Sequence, residues 1–163
     1  MERKDIDMVD HPTHYEKGAG HVECIDLLRV LTEGYSGIAA MEVGQFKYLY
    51  RMGSKSEEGL SQIDKSIEDV KKLIFYMKDF EKHACAPENG DYLMPDYACD
   101  KKYRELEAEF IAQEFTFDKP ESIKDLVKRA VKTVYCITAT RHIHTVIDTL
   151  EEIVKRLQKE PRW

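Results

Sequence analysis

Apolar residues that recur every three or four positions, over three separate long stretches, constrain this chain more than any other feature, because only amphipathic helices present such a pattern as one face. Ile63, Ile67, Val70, Ile74 and Met77 form the clearest stripe, with Asp64, Lys65, Glu68, Lys71, Lys72 and Lys78 on the other sides. Ile123, Leu126, Val127, Ala130, Val131, Val134 and Ile137 make a second stripe, and Val146, Ile147, Leu150, Ile153, Val154 and Leu157 a third. These last two stripes are broad and joined by the short link Ala139-Thr140-Arg141-His142, so they predict an antiparallel hairpin docked on further helices or on a second subunit, with homo-oligomerisation expected. Strand-like alternation is missing over any useful length.

Punctuation sets the remaining boundaries. A first helix is predicted over 21–33, with Val22, Ile25, Leu28 and Leu31 on one face and Gly34 as its stop; a second runs from the cap Ser36 to Met52, ended by Gly53. The segment 84–99 carries Pro87, Asn89-Gly90 and Pro95 without helical period and reads as a linker or long loop. Beyond it a Glu-rich helix is predicted over 100–115, and another opens at Asp118-Lys119-Pro120, Asp118 serving as cap and Pro120 as first helical residue. The last helix is predicted from near Ile143 to Lys159. The fold class is therefore all-α: a bundle of about five to six helices, with an N-terminal three-helix module (1–83), the linker (84–99) and a C-terminal helical region (100–163) containing the hairpin.

Composition narrows the function classes. With 163 residues, 42% hydrophobic and 34% charged, the chain can enclose a core without disulfides, and its formal net charge of -6 argues against duplex nucleic acid as partner. No stretch approaches the roughly 20 apolar residues of a membrane span, and the opening residues carry no apolar signal region. A soluble cytoplasmic protein is expected. Cys24, Cys85, Cys99 and Cys136 form no C-x-x-C pair and read as reduced structural thiols. The P-loop, the dinucleotide fingerprint, the H-E-x-x-H zinc motif and the G-x-S-x-G elbow are all missing, so no cofactor is identified and the catalytic residues stay unassigned.

Two clusters are the candidates for chemistry. On the second helix Ala40, Gly44, Lys47 and Arg51 share one stripe, small at one end and basic at the other, with Lys55 just beyond; Lys47, Arg51 and Lys55 suit phosphate oxygens. The plainer reading makes Gly44 a close-packing residue and pairs Lys47 and Arg51 with Glu42 or Glu23. In the leading arm, His11, His14 and Tyr15 precede Gly18 and Gly20 and the acidic pair Glu23 and Asp26; imidazoles can donate to phosphate and a tyrosine can stack on a base. Solvated or capping histidines are the alternative. His142 and His144 stand at i and i+2, which point apart in a helix, so no metal site is assigned there. Glu105, Glu107, Glu109, Glu151 and Glu152 read as solvated helix faces, with magnesium binding by Glu105, Glu109, Glu151 and Glu152 as a weaker option.

Four ordered segments give these residues a second warrant. Val9-Asp10-His11-Pro12-Thr13-His14-Tyr15, His21-Val22-Glu23-Cys24-Ile25-Asp26, Gly44-Gln45-Phe46-Lys47-Tyr48-Leu49-Tyr50-Arg51-Met52-Gly53-Ser54-Lys55, and Glu68-Asp69-Val70-Lys71-Lys72 with Tyr76-Met77 together resemble the DUF3310 family of bacteriophage proteins. The likeness covers roughly the first half of the chain. That family includes the nucleotide kinase of T7-like phages, so the resemblance implies a phage or prophage protein, in a bacterial host's cytoplasm, that binds a small nucleotide and, in its specific form, phosphorylates a (deoxy)nucleoside monophosphate without a P-loop. Carried over, it marks His11, Pro12, His14, Tyr15, Glu23, Cys24, Asp26, Gly44, Lys47, Tyr48, Arg51, Gly53 and Lys55. Gln45 stands where the family has Asn, as a base or ribose contact, and the interval from Lys55 to Glu68 is longer than the family's. Alternatives of other classes are a sequestering protein for a nucleotide immune signal, a magnesium-dependent helical nucleotide pyrophosphatase, and a structural, partner-binding bundle.

Overall fold

The computed structural model describes residues 15, 17–33, 35, 37–55, 57–84, 101–135 and 140–161. All regular structure among them is helical: α1 (Cys24–Thr32), α2 (Gly37–Val43), α3 (Lys47–Arg51), α4 (Gln62–Ala84), α5 (Lys101–Thr116), α6 (Glu121–Tyr135) and α7 (Thr140–Leu157). A 3-10 turn, Gly44–Phe46, joins α2 to α3, so the two form one interrupted helical run and the described residues make six helical segments. Of the predicted linker, Ala84 belongs to α4 and residues 85–99 lie outside the described residues, as does Ile137.

The four long helices adjoin in the order α4, α7, α6, α5, and the short helices close the assembly: α2 and α3 pack on α4, α3 also reaches α5, and α1 reaches α6. Arg156, near the end of α7, donates to the Ser122 carbonyl and the Asp125 carboxylate at the start of α6, which fixes these two helices as the antiparallel hairpin expected from their stripes. Those stripes do not await a second subunit. Ile123, Val127, Val131, Ile143, Val146, Leu150 and Ile153 are fully buried within the protomer, in one core cluster that also holds Leu27, Phe46, Leu73 and Phe115. Each such aliphatic side chain contributes roughly 1.5–3 kcal/mol relative to exposure. Residues of the first eighty-odd positions and of the C-terminal region thus share one core.

Several local expectations are corrected. In α1 the core face is Cys24, Leu27 and Leu31, while Ile25 is 53% exposed; the helix starts at Cys24 rather than His21, and the spacing i, i+3, i+7 from that start turns Ile25 outward. In α4, Lys65 is buried rather than solvated, because its ammonium sits between the carboxylates of Glu57 and Glu68. Leu73 and Phe80 join Val70 and Met77 on the buried face, where Ile67 and Ile74 only flank it. Arg141 and His142 belong to α7 rather than to a link. Gly53, at φ 86°, ends the α3 run as predicted, in a conformation open to glycine at no steric cost.

Candidate functional site

The antiparallel seam between the α2–α3 run and α4 carries most of the chemistry. Pairings run along it in register: Arg51 meets Asp69, Tyr48 lies beside Lys72 and Tyr76, and Glu42 approaches Asp79 and His83. The 3-10 turn at Gly44 tightens the run, so that Phe46, Leu49 and Tyr50 face the core and Lys47 and Tyr48 stay half-exposed on its outer side.

Arg51 organises one end. Its Nη2 donates to Asp69 Oδ1 at 3.0 Å and its Nε to Asp69 Oδ2 at 3.2 Å, a fork-to-carboxylate pair, while Nη1 donates to the Tyr15 hydroxyl at 3.2 Å. Both residues of the pair are buried. Burial pulls the guanidinium's affinity for its proton down, but the hydrogen bonds and charge of Asp69 outweigh it and hold Arg51 above its ordinary value. Burial pushes the Tyr15 hydroxyl up, against the pull of Arg51. The fork expected on phosphate is therefore engaged inside the protein, and Arg51 fixes Tyr15 and Tyr48 instead of presenting itself to solvent.

Three cations surround the Tyr48 ring. The Arg51 guanidinium lies 4.6 Å from its centroid, the Lys47 ammonium 5.4 Å and the Lys72 ammonium 6.0 Å. Tyr76 lies almost parallel to Tyr48, centroids 6.4 Å apart with planes 12° apart. Lys72 also bonds Glu68, and the hydrogen bonds of Lys72 and Lys65 hold the Glu68 carboxyl down at about 2. Lys47 has no carboxylate partner among the described residues, so the expected pairing with Glu42 or Glu23 is not made. Gly44 has open space where a Cβ would stand, which overturns its reading as a close-packing residue.

The other predicted site residues take separate places. Glu23 is the exposed N-cap of α1 and Asp26 pairs with Arg29 on the surface at 2.6 Å. Gln45 donates to the Met41 carbonyl of its own run at 3.1 Å. Lys55 follows the turn after Gly53 and faces the charge of Glu57. His11 and His14 lie outside the described residues. Cys24 is buried, and that burial pushes its thiol up to about 12, which suits a structural role. Of the acidic faces, Glu109 pairs with Lys128 and Lys132, Glu151 with Lys78 and Glu152 with Arg156. His144 pairs with Glu81 at 3.1 Å.

A second polar centre was missed from sequence. Asp118 binds Lys17 and, at 2.7 Å, Lys119, whose ammonium also donates to the Tyr50 carbonyl at 2.8 Å. Burial first, then the charge of Lys17, pulls Lys119 down to about 8 against the opposing effect of Asp118. The Asp118 carboxylate, expected as a helix cap, thus knots the leading arm to the turn before α6. A cavity of about 220 Å³ lies beside it, lined by Met52, Gly53, Gln62, Ser66, Asp118, Pro120 and Leu157. Lysines so far apart in sequence as 17 and 119 carry no signal that they meet; only a folded core juxtaposes them.

No protein family, no curated protein and no solved structure matches this chain. Among the described residues no helix is long and apolar enough to cross a membrane.

Proposed function

We propose that the chain binds a small nucleotide, a nucleoside monophosphate, on the face of the α2–α3 and α4 seam formed by Lys47, Tyr48, Lys72 and Tyr76. One observation carries this reading: the Lys47 ammonium, unclaimed by any carboxylate among the described residues, stands 5.4 Å from a half-exposed tyrosine ring that Lys72 also flanks. A phosphate needs a cation whose charge is not already neutralised, which Lys47 offers while Lys72, bonded to Glu68, flanks the ring, and a base needs a flat π-face that remains reachable. Arg51 acts as a positioning residue, holding Tyr15 and Tyr48 in place from the buried side. The open space at Gly44 leaves room for a ligand against the same run. The likeness of the N-terminal segments to DUF3310 adds to this reading and suggests the setting, a phage-encoded protein in a bacterial cytoplasm, with transfer of a phosphoryl group to the bound monophosphate as its specific activity.

Thermal-shift measurements with a panel of ribo- and deoxynucleoside monophosphates test it, since a ligand held only by the folded state must raise Tm. At least one monophosphate is expected to do so, and Lys47→Ala together with Lys72→Ala to abolish the shift. No shift with any member of the panel, or a shift untouched by the two substitutions, contradicts the assignment. With a binder in hand, incubation with ATP and magnesium separates phosphoryl transfer, which forms the diphosphate, from simple retention.

A further inference from the structure

We propose that Glu42, Asp79 and His83 form a binding site for a divalent transition-metal ion clamped between α2 and α4. One potential ligand atom from each residue lies within 4.8 Å of the others, and this is the only such trio of acidic, histidine or cysteine side chains among the described residues. Donors around a zinc-sized ion stand about 3 to 3.5 Å apart when each is about 2.1 Å from the metal, so modest side-chain rotation closes the set. Asp79 and His83 have that freedom, being 41% and 35% exposed.

Glu42 supplies the independent reason to expect an ion. It is 4% exposed, and its Oε2 is buried without any hydrogen-bond partner. A buried carboxylate oxygen left unsatisfied is expensive, and a cation is what such a group lacks. A cation seated there faces the carboxylates of both Glu42 and Asp79.

The donor set indicates the class of ion. Two carboxylate oxygens and one imidazole nitrogen suit zinc or manganese, whereas magnesium and calcium favour oxygen alone. His83 Nδ1 lies 2.8 Å from the Asp79 main-chain carbonyl and 3.4 Å from Asp79 Oδ2, so the imidazole stands directly against the Asp79 carboxylate. Three protein ligands leave coordination positions for water or for a ligand oxygen. Asp79 and His83 continue the α4 stripe of Lys72 and Tyr76 by one and two turns, so those positions open onto the same seam.

The test needs no nucleotide, so its outcome is separate from that of the nucleotide reading. The full chain, stripped with a chelator, is titrated with Zn²⁺ by calorimetry and with Co²⁺ by visible absorption. One equivalent is expected to bind at about micromolar or tighter Kd, with Tm rising on zinc addition. His83→Ala and Asp79→Asn, both at partly exposed positions, are expected to weaken binding at least tenfold, and His144→Ala to leave it unchanged. Glu42→Gln should do the same as His83→Ala; should it fail to fold by circular dichroism, the two partly exposed variants decide. The absence of saturable binding at one equivalent, binding that persists in His83→Ala and Asp79→Asn, or loss in His144→Ala overturns the proposal.

Discussion

Removing the Asp69 carboxylate should cost this protein a large share of its stability. Asp69 is 1% exposed and Arg51 7%, and two charge-assisted hydrogen bonds of 3.0 and 3.2 Å join them. In Asp69→Ala the guanidinium stays buried with only the Tyr15 hydroxyl, at 3.2 Å, left to accept from it. Breaking one side of a buried pair typically costs about 3–5 kcal/mol, because an uncompensated charge remains in a poorly solvating place. Domains of this size are stable by about 5–15 kcal/mol in total, so the variant should unfold at a much lower urea concentration. Replacing both partners at once, Arg51→Met with Asp69→Leu, removes the stranded charge and should lose far less, about 0–2 kcal/mol. Urea denaturation followed by circular dichroism, run on Arg51→Met, Asp69→Leu and the double variant, gives the coupling energy directly. The reasoning is refuted if Asp69→Ala lies within about 1 kcal/mol of the parent, or if the double variant falls below the singles.

Other consequences are open to the same assay. Gly44→Ala should stabilise by about 0.5–1 kcal/mol, since a Cβ meets nothing within 4 Å and alanine restricts the unfolded chain; a loss of stability would mean that the 3-10 turn requires glycine. Tyr35→Phe should cost about 1–2 kcal/mol, because the buried hydroxyl donates to the Val134 carbonyl at 2.6 Å and ties the segment before α2 to α6; an unchanged urea midpoint would deny that tie. Lys119, held down at about 8 against an ordinary 10.5, gives up its proton in the folded state before the unfolded chain does. Between those values the unfolded chain binds more protons, so this residue makes stability rise with pH, and the parent should gain on Lys119→Met between pH 8 and 10; a constant difference would contradict it.

How far the chain could be read from its residues depended on whether a pattern was local. The stripes of α4, α6 and α7 repeat within one helix, so their periodicity announces both the elements and most of their buried faces. In α1 the same reasoning chose a face with Ile25 on it, because four apolar residues in so short a helix allow two phases, and only packing selects Cys24, Leu27 and Leu31. Lys47, Tyr48 and Arg51 were visible as one stripe, and they do meet around one ring. What charge and spacing could not reveal was that Arg51 is claimed by Asp69, eighteen residues away on the facing helix, which leaves Lys47 as the cation of the pair without a carboxylate. Asp79 and His83 stand at i and i+4, a spacing that sequence alone offers in many solvated helices; their meaning depends on Glu42 arriving from α2, and that register is set by the fold.

Calorimetric titration of a deoxynucleoside monophosphate into the parent chain and into Lys47→Ala addresses the nucleotide assignment most directly. Lys47 is half-exposed and outside the core, so its truncation should leave the urea midpoint within about 0.5 kcal/mol and isolate the ligand effect. Loss of one charge-assisted contact worth about 1.5–3 kcal/mol should weaken binding by roughly 10- to 100-fold. Heat of binding that is absent from the parent, or equal in the two proteins at matched stability, would contradict a nucleotide seat on this face.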